Sequence, residues 1–312
     1  MKRFKKILFV ADGSNGEKLA LARAIDLAES NKAKLTLMDV LGFEVEASVE
    51  KTTRLTIHQL HKELLADRRN ELRQMRQSIL SKHAGLRVAV EVESGKAAVA
   101  VIRSVLRHGH DLVLKAPEGQ SNKLARLFGG TDLKLMRKCP CPVWLAKPSR
   151  RRRYRKILAA VDLNPVEAET QSLAHQVMEI SISLARFERS ELHVVHVWRL
   201  AGEAKLRGRQ VTTARVDKLL HEIRDAHATE LKSLIEEHPY EQTTVHLLKG
   251  RAGDIIPAAV NELDADLIVL GTVGRAGIPG FFIGNTAEKV LGSVNCSVLT
   301  LKPEGFETPI QV

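Results

Sequence analysis

The alternation of apolar and polar positions divides this chain into buried strands separated by amphipathic helices. Two similar apolar runs, residues 6–11 (KILFVA) and 156–161 (KILAAV), end at Asp12 and Asp162. Uninterrupted apolar runs of this length are typical of parallel strands buried on both faces. After each run, apolar residues recur at helical spacing: Leu19, Ala22, Ala24, Ile25 and Ala28 in the first case, and Leu173, Val177, Ile180 and Leu184 in the second.

The same order of elements continues in both halves of the chain. The pattern predicts second strands at residues 34–40 and 191–197, long helices at 49–80 and 211–235, and third strands at 87–92 and 244–248. Further helices begin at Ala97 and Ala252, and residues 267–270 form another apolar strand. Strands that alternate with helices predict an α/β fold with a parallel sheet, right-handed crossovers and helices on both faces.

From the third strands onward the two halves match at a constant spacing of 155 residues. The matched pairs are Gly95 and Gly250, Asp111 and Asp266, Gly119 and Gly274, Gly129 and Gly284, Thr131 and Thr286, Cys141 and Cys296, and Pro148 and Pro303. Such a repeat indicates tandem duplication of one α/β unit. We therefore expect two domains, residues 1–148 and 157–312, joined by the basic linker 149–156.

Glycines dominate the stretch that follows residues 267–270. They are Gly271, Gly274, Gly277, Gly280 and Gly284, and Asn285 or Thr286 then offers a cap for a following helix. Glycines allow positive φ angles and let backbone N–H groups turn toward an anion, as in phosphate-binding loops. In parallel sheets ligands bind at the carboxyl ends of strands, so Asp162, the end of the second strand near Val197 and this loop converge on one crevice. The alternative is a mobile surface loop.

The spacing of Gly271, Gly274 and Gly284 resembles the ATP-binding signature of the universal stress protein family. That family usually has Ser or Thr after the last glycine, where this chain has Asn285 followed by Thr286. The stretches HDLVLKAPEG, LMRKCPCPVWLAKP, GTVGR and FIGNTAE, with the tail KPEGFETPIQV, are similar to the tandem two-domain E-type members from bacteria.

The resemblance implies a fold, a ligand and a role. The fold is two five-stranded sheets of order 3-2-1-4-5 that form a pseudo-two-fold pair, through the strand from Val143 to Lys147 and the strand from Val298 to Lys302. The implied role is cytoplasmic stress survival, with ATP or a related nucleotide as ligand and Mg²⁺ accompanying ATP. Asp162 is assigned to the ribose or adenine end and the Val197 backbone to the adenine edge. The residues assigned to the phosphates are Gly271, Thr272, Gly274, Arg275, Gly284, Asn285 and Thr286.

Several of these assignments have alternatives in the residues themselves. Asp162 is equally suited to capping its own loop and the next helix. The first half departs from the signature, with Ala116 in place of Gly271 and Lys115 in place of Leu270. Its degenerate site comprises Asp12, Lys115, Gly119, Gly129, Gly130 and Thr131. Either an anion binds at the helix from Thr131 with Lys115 as counter-charge, or Lys115 pairs with a local carboxylate and the site is vestigial.

Composition narrows the function classes. With 44% hydrophobic and 27% charged residues the chain is typical of globular proteins, and no apolar run reaches the ~18 residues of a membrane span. The first apolar run stops at Asp12, before a signal-peptide core forms, so we expect a cytoplasmic protein. Three cysteines, Cys139, Cys141 and Cys296, fit neither a disulfide framework nor a zinc site, and we expect no metal-ligand set.

The net charge of +11 is unevenly distributed. Residues 1–148 hold 27 basic and 16 acidic residues, residues 149–156 hold six basic and none acidic, and residues 157–312 hold 15 and 21. The basic half favours nucleic acid, acidic lipid or the acidic half of another copy as partner. The linker SRRRRYRK is either a solvated connection or a nucleic-acid contact in which Tyr154 stacks on a base.

No catalytic constellation is visible, so we favour a binding or signalling protein over an enzyme. An ATPase needs a metal carboxylate and a water-orienting group near the phosphates, and only Asp162 qualifies loosely. Four apolar residues of the loop, Ile278, Phe281, Phe282 and Ile283, either pack on the other half or line a path for an acyl chain. The alternatives are therefore a slow ATPase, a carrier or sensor of an apolar or nucleotide-linked lipid, and a nucleic-acid-associated stress factor.

Overall fold

The structure is a computed structural model that describes residues 4–14, 16–42, 51–119, 128–149, 153–163, 168–207, 212–272 and 284–311. The first half contains β1 (Lys6–Val10), α1 (Glu17–Asn31), β2 (Lys34–Leu41), α2 (Lys51–Lys82), β3 (Arg87–Ser94), α3 (Ala97–His108), β4 (Leu112–Lys115), α4 (Gly130–Lys138) and β5 (Val143–Leu145). Every strand and long helix that the sequence pattern predicts in this half is present.

The second half repeats this order with one added helix. It contains β6 (Lys156–Val161), α5 (Ala168–Glu188), β7 (Glu191–Trp198), α6 (Glu203–Arg207), α7 (Thr213–Glu237), β8 (Thr243–Lys249), α8 (Ala252–Glu262), β9 (Leu267–Gly271), α9 (Asn285–Leu291) and β10 (Ser297–Leu301). The short helix α6 has no counterpart in the sequence prediction, because five residues are too few to show a periodic apolar face.

The ten strands of the described residues belong to one sheet of order β3-β2-β1-β4-β5-β10-β9-β6-β7-β8. Each half therefore has the predicted order 3-2-1-4-5, with its neighbouring strands parallel. The halves meet at β5 and β10, which pair antiparallel with Val298 opposite Leu145 and Thr300 opposite Val143. This pairing covers two apolar strand edges that would otherwise be exposed. The predicted fold class and the pseudo-two-fold pairing are confirmed.

Two apolar layers fill the two faces of the sheet. Ile7 and Phe9 of β1 point to the layer that holds α1, α2, α5 and α7, whereas Leu8 and Val10 point to the layer that holds α3, α4, α8 and α9. This alternation follows from the period of two residues in a strand. Helices on both faces explain why the central strands are buried and mostly apolar. None of the described helices is long and apolar enough to span a membrane.

The ends of β5 and β10 differ from the prediction. We expected strands as far as Lys147 and Lys302, but β5 ends at Leu145 and β10 at Leu301. Lys147 leaves the ladder because its N–H donates to the Ser297 hydroxyl oxygen at 3.0 Å and its Nζ donates to the Asn295 carbonyl oxygen at 2.6 Å. These bonds tie the first half to the second beyond the last strand pair.

Candidate functional site

In the second half, three predicted site segments meet at one edge of the sheet. Asp162 directly follows β6 and is exposed. Val161 is the last β6 residue paired with β7, opposite His196, so Val197 is the first β7 residue beyond the end of β6. Gly271 ends β9, which pairs with the other side of β6. Asp162, Val197 and Gly271 therefore surround the carboxyl end of β6, as expected for a ligand crevice.

The two ends of the glycine loop are tied together at its base. Gly284 N–H donates to the Thr272 carbonyl oxygen at 2.8 Å, and Thr272 N–H donates to the Leu301 carbonyl oxygen at 3.1 Å. The side chain of Thr272 is fully buried, so it faces the protein interior. The predicted residues Gly274 and Arg275, together with Gly277, Gly280, Ile278, Phe281, Phe282 and Ile283, lie outside the described residues.

Two expectations about this loop are wrong. Gly284 has φ −59° and itself occupies the N-cap position of α9, so neither Asn285 nor Thr286 is the cap; both are exposed residues of the first turn. Gly271 lies in a strand, where a Cβ would stand 2.4 Å from Cδ2 of Leu173 on α5. The glycine at 271 is therefore required by close helix-to-strand packing and not by a positive φ angle.

The degenerate site of the first half is occupied by the protein's own charged groups. Lys115, fully buried at the end of β4, has its Nζ 2.7 Å from Asp132 Oδ1 and 2.9 Å from Asp12 Oδ2. Burial opposes the charge of Lys115, but the Asp132 and Asp12 carboxylates outweigh it and raise the pKa of the lysine. Lys115 therefore pairs with local carboxylates, and one oxygen of Asp12 is engaged with it.

Carboxylates also occupy the amino end of α4, where a phosphate would bind. Glu118 Oε2 accepts the Thr131 N–H at 3.1 Å, and Asp132 Oδ2 accepts the Gly129 N–H at 3.0 Å and the Glu118 N–H at 2.8 Å. Gly129 has φ −82°, and a Cβ there would lie 2.0 Å from Glu118 Oε2. The glycine thus makes room for the internal carboxylate. At Gly130 a Cβ would meet nothing within 4 Å among the described residues beyond its chain neighbours, so no close packing requires this glycine.

The sequence analysis missed Glu118 and Asp132. A signal was available, because the matching positions 155 residues later hold Val273 and Ala287, and the position matching Lys115 holds Leu270. All three charged residues of the first half therefore have apolar counterparts in the second half. A comparison of the repeats at charged positions, in addition to glycines, would have singled out these three residues, although not the contacts between them.

A second pair of matching positions links each crevice to the long helix beside it. In the first half Arg68 of α2 forms an ion pair with Asp39 and donates to the Ala11 carbonyl oxygen at 2.9 Å. In the second half His196, at the position of Asp39, has Nδ1 3.1 Å from the Val161 carbonyl oxygen and Nε2 2.9 Å from Nδ1 of His227 on α7. The strand end of the second half is therefore bordered by two imidazoles, His196 and His227, which can be neutral. The matching place in the first half has the charged pair Arg68 and Asp39.

The linker buries its one tyrosine. Tyr154 is only 3% exposed, so it does not stack on a base, whereas the solvated connection and the arginine contacts to nucleic acid stay predictions. Arg153 and Arg155 are exposed, and Arg150 to Arg152 lie outside the described residues. The large ring is buried because it supplies apolar area at the seam between the halves, where the adjacent Trp144 ring centre is 6.1 Å away.

Two five-stranded units, each with a glycine-containing connection after its fourth strand and joined into one sheet, define a tandem α/β protein. The model of the Universal stress protein family matches residues 3–147 and 153–302. The chain therefore belongs to the universal stress protein family, with two copies of the family's domain.

Relatives of this tandem type match over the whole chain. Universal stress protein E of Photorhabdus laumondii is 30% identical over 330 residues, covering 100% of this chain and 99% of the relative. Universal stress protein E of Escherichia coli K12 is 29% identical over 337 residues, covering 100% and 98%. Among solved structures, a functionally unknown protein from Pseudomonas aeruginosa PAO1 is 27% identical with a TM-score of 0.71, covering 97% of this chain and 94% of that one.

Proposed function

We propose that the second half of this stress-response protein binds ATP or a related nucleotide and that the first half binds none. The observation that carries the proposal is the difference between the two phosphate positions. In the first half, Lys115, Glu118 and Asp132 fill the position with paired charges. In the second half the matching residues are Leu270, Val273 and Ala287, which bring no carboxylate to compete with a phosphate.

Each assigned residue has a chemical reason to bind part of a nucleotide. A carboxylate at residue 162, exposed beyond β6, accepts hydrogen bonds from ribose hydroxyls. The backbone at Val197 offers polar groups to the adenine edge, and the loop that contains Gly274 and Arg275 offers N–H groups and one positive charge to the phosphates. With ATP, Mg²⁺ would accompany the phosphates. We further propose that the protein acts in the cytoplasm, as a binding protein and not as an enzyme.

Calorimetric titration with ATP in the presence of Mg²⁺ tests the proposal. We expect one ATP per chain. Gly274→Val should abolish binding, because a branched side chain blocks the approach of phosphate to the backbone, whereas the matched change Gly119→Val in the first half should leave binding unchanged. A stoichiometry of two, or equal losses from the two variants, would show that the halves are equivalent and that the proposal is wrong.

A further inference from the structure

Lys302, the residue after β10, joins the two halves at the base of the second-half loop. Its side chain is buried, with 7% of the residue exposed. The Nζ atom donates to the carbonyl oxygens of Met136 at 2.8 Å and Arg137 at 2.9 Å, both in the last turn of α4 in the first half. It also donates to the Thr272 hydroxyl oxygen at 2.7 Å. One ammonium group thus binds a helix end and the residue that begins the loop.

The same turn of α4 makes a second contact with the candidate site. The Arg137 guanidinium forms an ion pair with Glu288, which lies in the first turn of α9. The last turn of α4 is therefore linked to the segments on both sides of the loop, to Thr272 through Lys302 and to α9 through the Arg137–Glu288 ion pair. A cation at the carboxyl end of a helix is favourable because the exposed carbonyl groups there carry partial negative charge.

The matching lysine of the first half makes no such link. Lys147, which lies 155 residues before Lys302, donates to the Asn295 carbonyl oxygen at 2.6 Å and to Asn295 Oδ1 at 2.8 Å. The residue that matches Thr272 is Pro117, which has no hydroxyl group, and the residue that matches Arg137 is Gly292. Within the part of the chain that the structure describes, the connection from a helix end to a loop base therefore runs from the first half to the second and has no counterpart in the other direction.

We infer that the last turn of α4 in the first half positions the two described ends of the second-half ligand loop, Thr272 and Gly284, through Lys302. The inference rests on the proposed function, since the loop is taken to bind the nucleotide phosphates. It gives the first half a role that needs no ligand of its own. The internal carboxylates Glu118 and Asp132 hold the amino end of α4, and the other end of the same helix supports the binding loop.

The charge of Lys302 makes this support dependent on pH. Burial lowers the pKa of Lys302 to about 7, and the nearby Cys139 thiol opposes the shift. The other groups that face it are the Phe306 ring, 4.6 Å from Nζ, and Arg137, whose charge is paired with Glu288. No carboxylate in the described part of the chain pairs with Lys302. The ammonium donates three hydrogen bonds below about pH 7, and the neutral amine formed above it donates at most two.

The link itself can be tested without ligand. In Lys302→Met, hydrogen exchange measured by mass spectrometry should be about tenfold faster in peptides that contain the Thr272 and Gly284 amides, because the loop base loses a charge-assisted bond. Lys147→Met is the matched control and should exchange at the wild-type rate in these peptides. Thr272→Val keeps both bonds from Lys302 to the α4 carbonyl oxygens and removes only the bond to the loop base. It provides the same test if Lys302→Met fails to fold. Unchanged exchange in a folded Lys302→Met or Thr272→Val protein would overturn the inference.

Titration with ATP then tests whether the link sets the binding site. The reference is the ATP affinity of Lys147→Met, measured at each pH between pH 6 and pH 9. The affinity of the wild type should stay in a constant ratio to this reference. The affinity of Lys302→Met should be about tenfold lower than the reference at pH 6, and the difference should shrink above pH 7. An equal ratio at every pH would overturn the positioning role. If the wild type binds no ATP while Lys302→Met accelerates exchange, the proposed function fails and the link between α4 and the loop stands.

Discussion

The guanidinium carbon of Arg23 lies 3.7 Å from the centre of the Tyr154 ring, across the seam between the two halves. Arg23 belongs to α1, and it also forms an ion pair with Glu188 at the end of α5. Glu188 in turn accepts the Tyr154 N–H at 3.1 Å. The side chains of Arg23 and Glu188 are 10% and 2% exposed, so the seam contains a buried ion pair stacked on an aromatic ring.

We expect Arg23→Leu to lower the free energy of unfolding by about 3 kcal/mol, because the Glu188 carboxylate is left buried without its partner. Urea unfolding followed by tryptophan fluorescence measures the effect, since Trp144 is fully buried beside Tyr154. The double variant Arg23→Leu with Glu188→Gln should recover most of the loss, because glutamine removes the unpaired charge and still accepts the Tyr154 N–H. Equal stability of both variants would contradict this account.

The internal ion cluster of the first half should respond to substitution as a unit. Asp132→Ala leaves the buried Lys115 with one fewer carboxylate and should cost about 3–5 kcal/mol of stability. The double variant with Lys115→Leu has in the first half the residues that the second half has at these positions, Leu270 and Ala287. It should recover a large part of the lost stability. A double-mutant cycle from denaturant unfolding measures the coupling. If the two losses simply add, the residues do not act as a pair.

Asp162 and Asp12 provide a matched test of which crevice binds the nucleotide. Asp162→Ala should weaken ATP binding about tenfold to a hundredfold, the loss expected for hydrogen bonds to a charged group. Asp12→Ala should leave ATP affinity unchanged and lower the melting temperature, because Asp12 is engaged with Lys115 at 2.9 Å. Calorimetry and thermal unfolding of the two variants provide both readouts. Weaker ATP binding by Asp12→Ala would show that the first crevice also takes part.

Acid should destabilise the protein between about pH 6.5 and pH 4 because of His110. Burial, assisted by His108, lowers the pKa of His110 from its usual value to about 4. The unfolded chain therefore takes up a proton near pH 6.5 that the folded protein accepts only near pH 4. The free energy of unfolding therefore decreases as the pH is lowered across this window. Burial also lowers the pKa of His193, His238 and His246, which adds to the effect.

Replacing His110 tests its share of this acid sensitivity. The wild type should lose stability between pH 7.5 and pH 5, and His110→Leu should lose about 2 kcal/mol less. This difference is the free energy gained when His110 binds a proton in the unfolded state but not in the folded state. Urea unfolding at a series of pH values gives the comparison with the wild type. Parallel pH profiles for the two proteins would mean that other groups carry the acid sensitivity.

The sequence by itself determined the order of the elements and the fold. Continuous apolar runs such as residues 6–11 and 267–270 can be stable only as strands covered on both faces, and the 155-residue repeat required a second copy of the same unit. The strand order and the pairing of the fifth strands were implied by the family resemblance, and the structure has both. The sequence did not predict the short helix α6, and it placed the end of β5 too far along the chain.

Only the tertiary structure decided which charged groups meet. Lys115 and Asp132 are 17 residues apart and Lys302 and Met136 are 166 apart, and no local pattern encodes such contacts. The reason for a glycine at a given position was likewise not readable from the sequence. The sequence assigned Gly129 and Gly271 to anion sites, but each packs closely against a neighbour, Glu118 in one case and Leu173 in the other. Periodicity reports burial along the chain, whereas ion pairs and close approaches depend on where distant segments pack together.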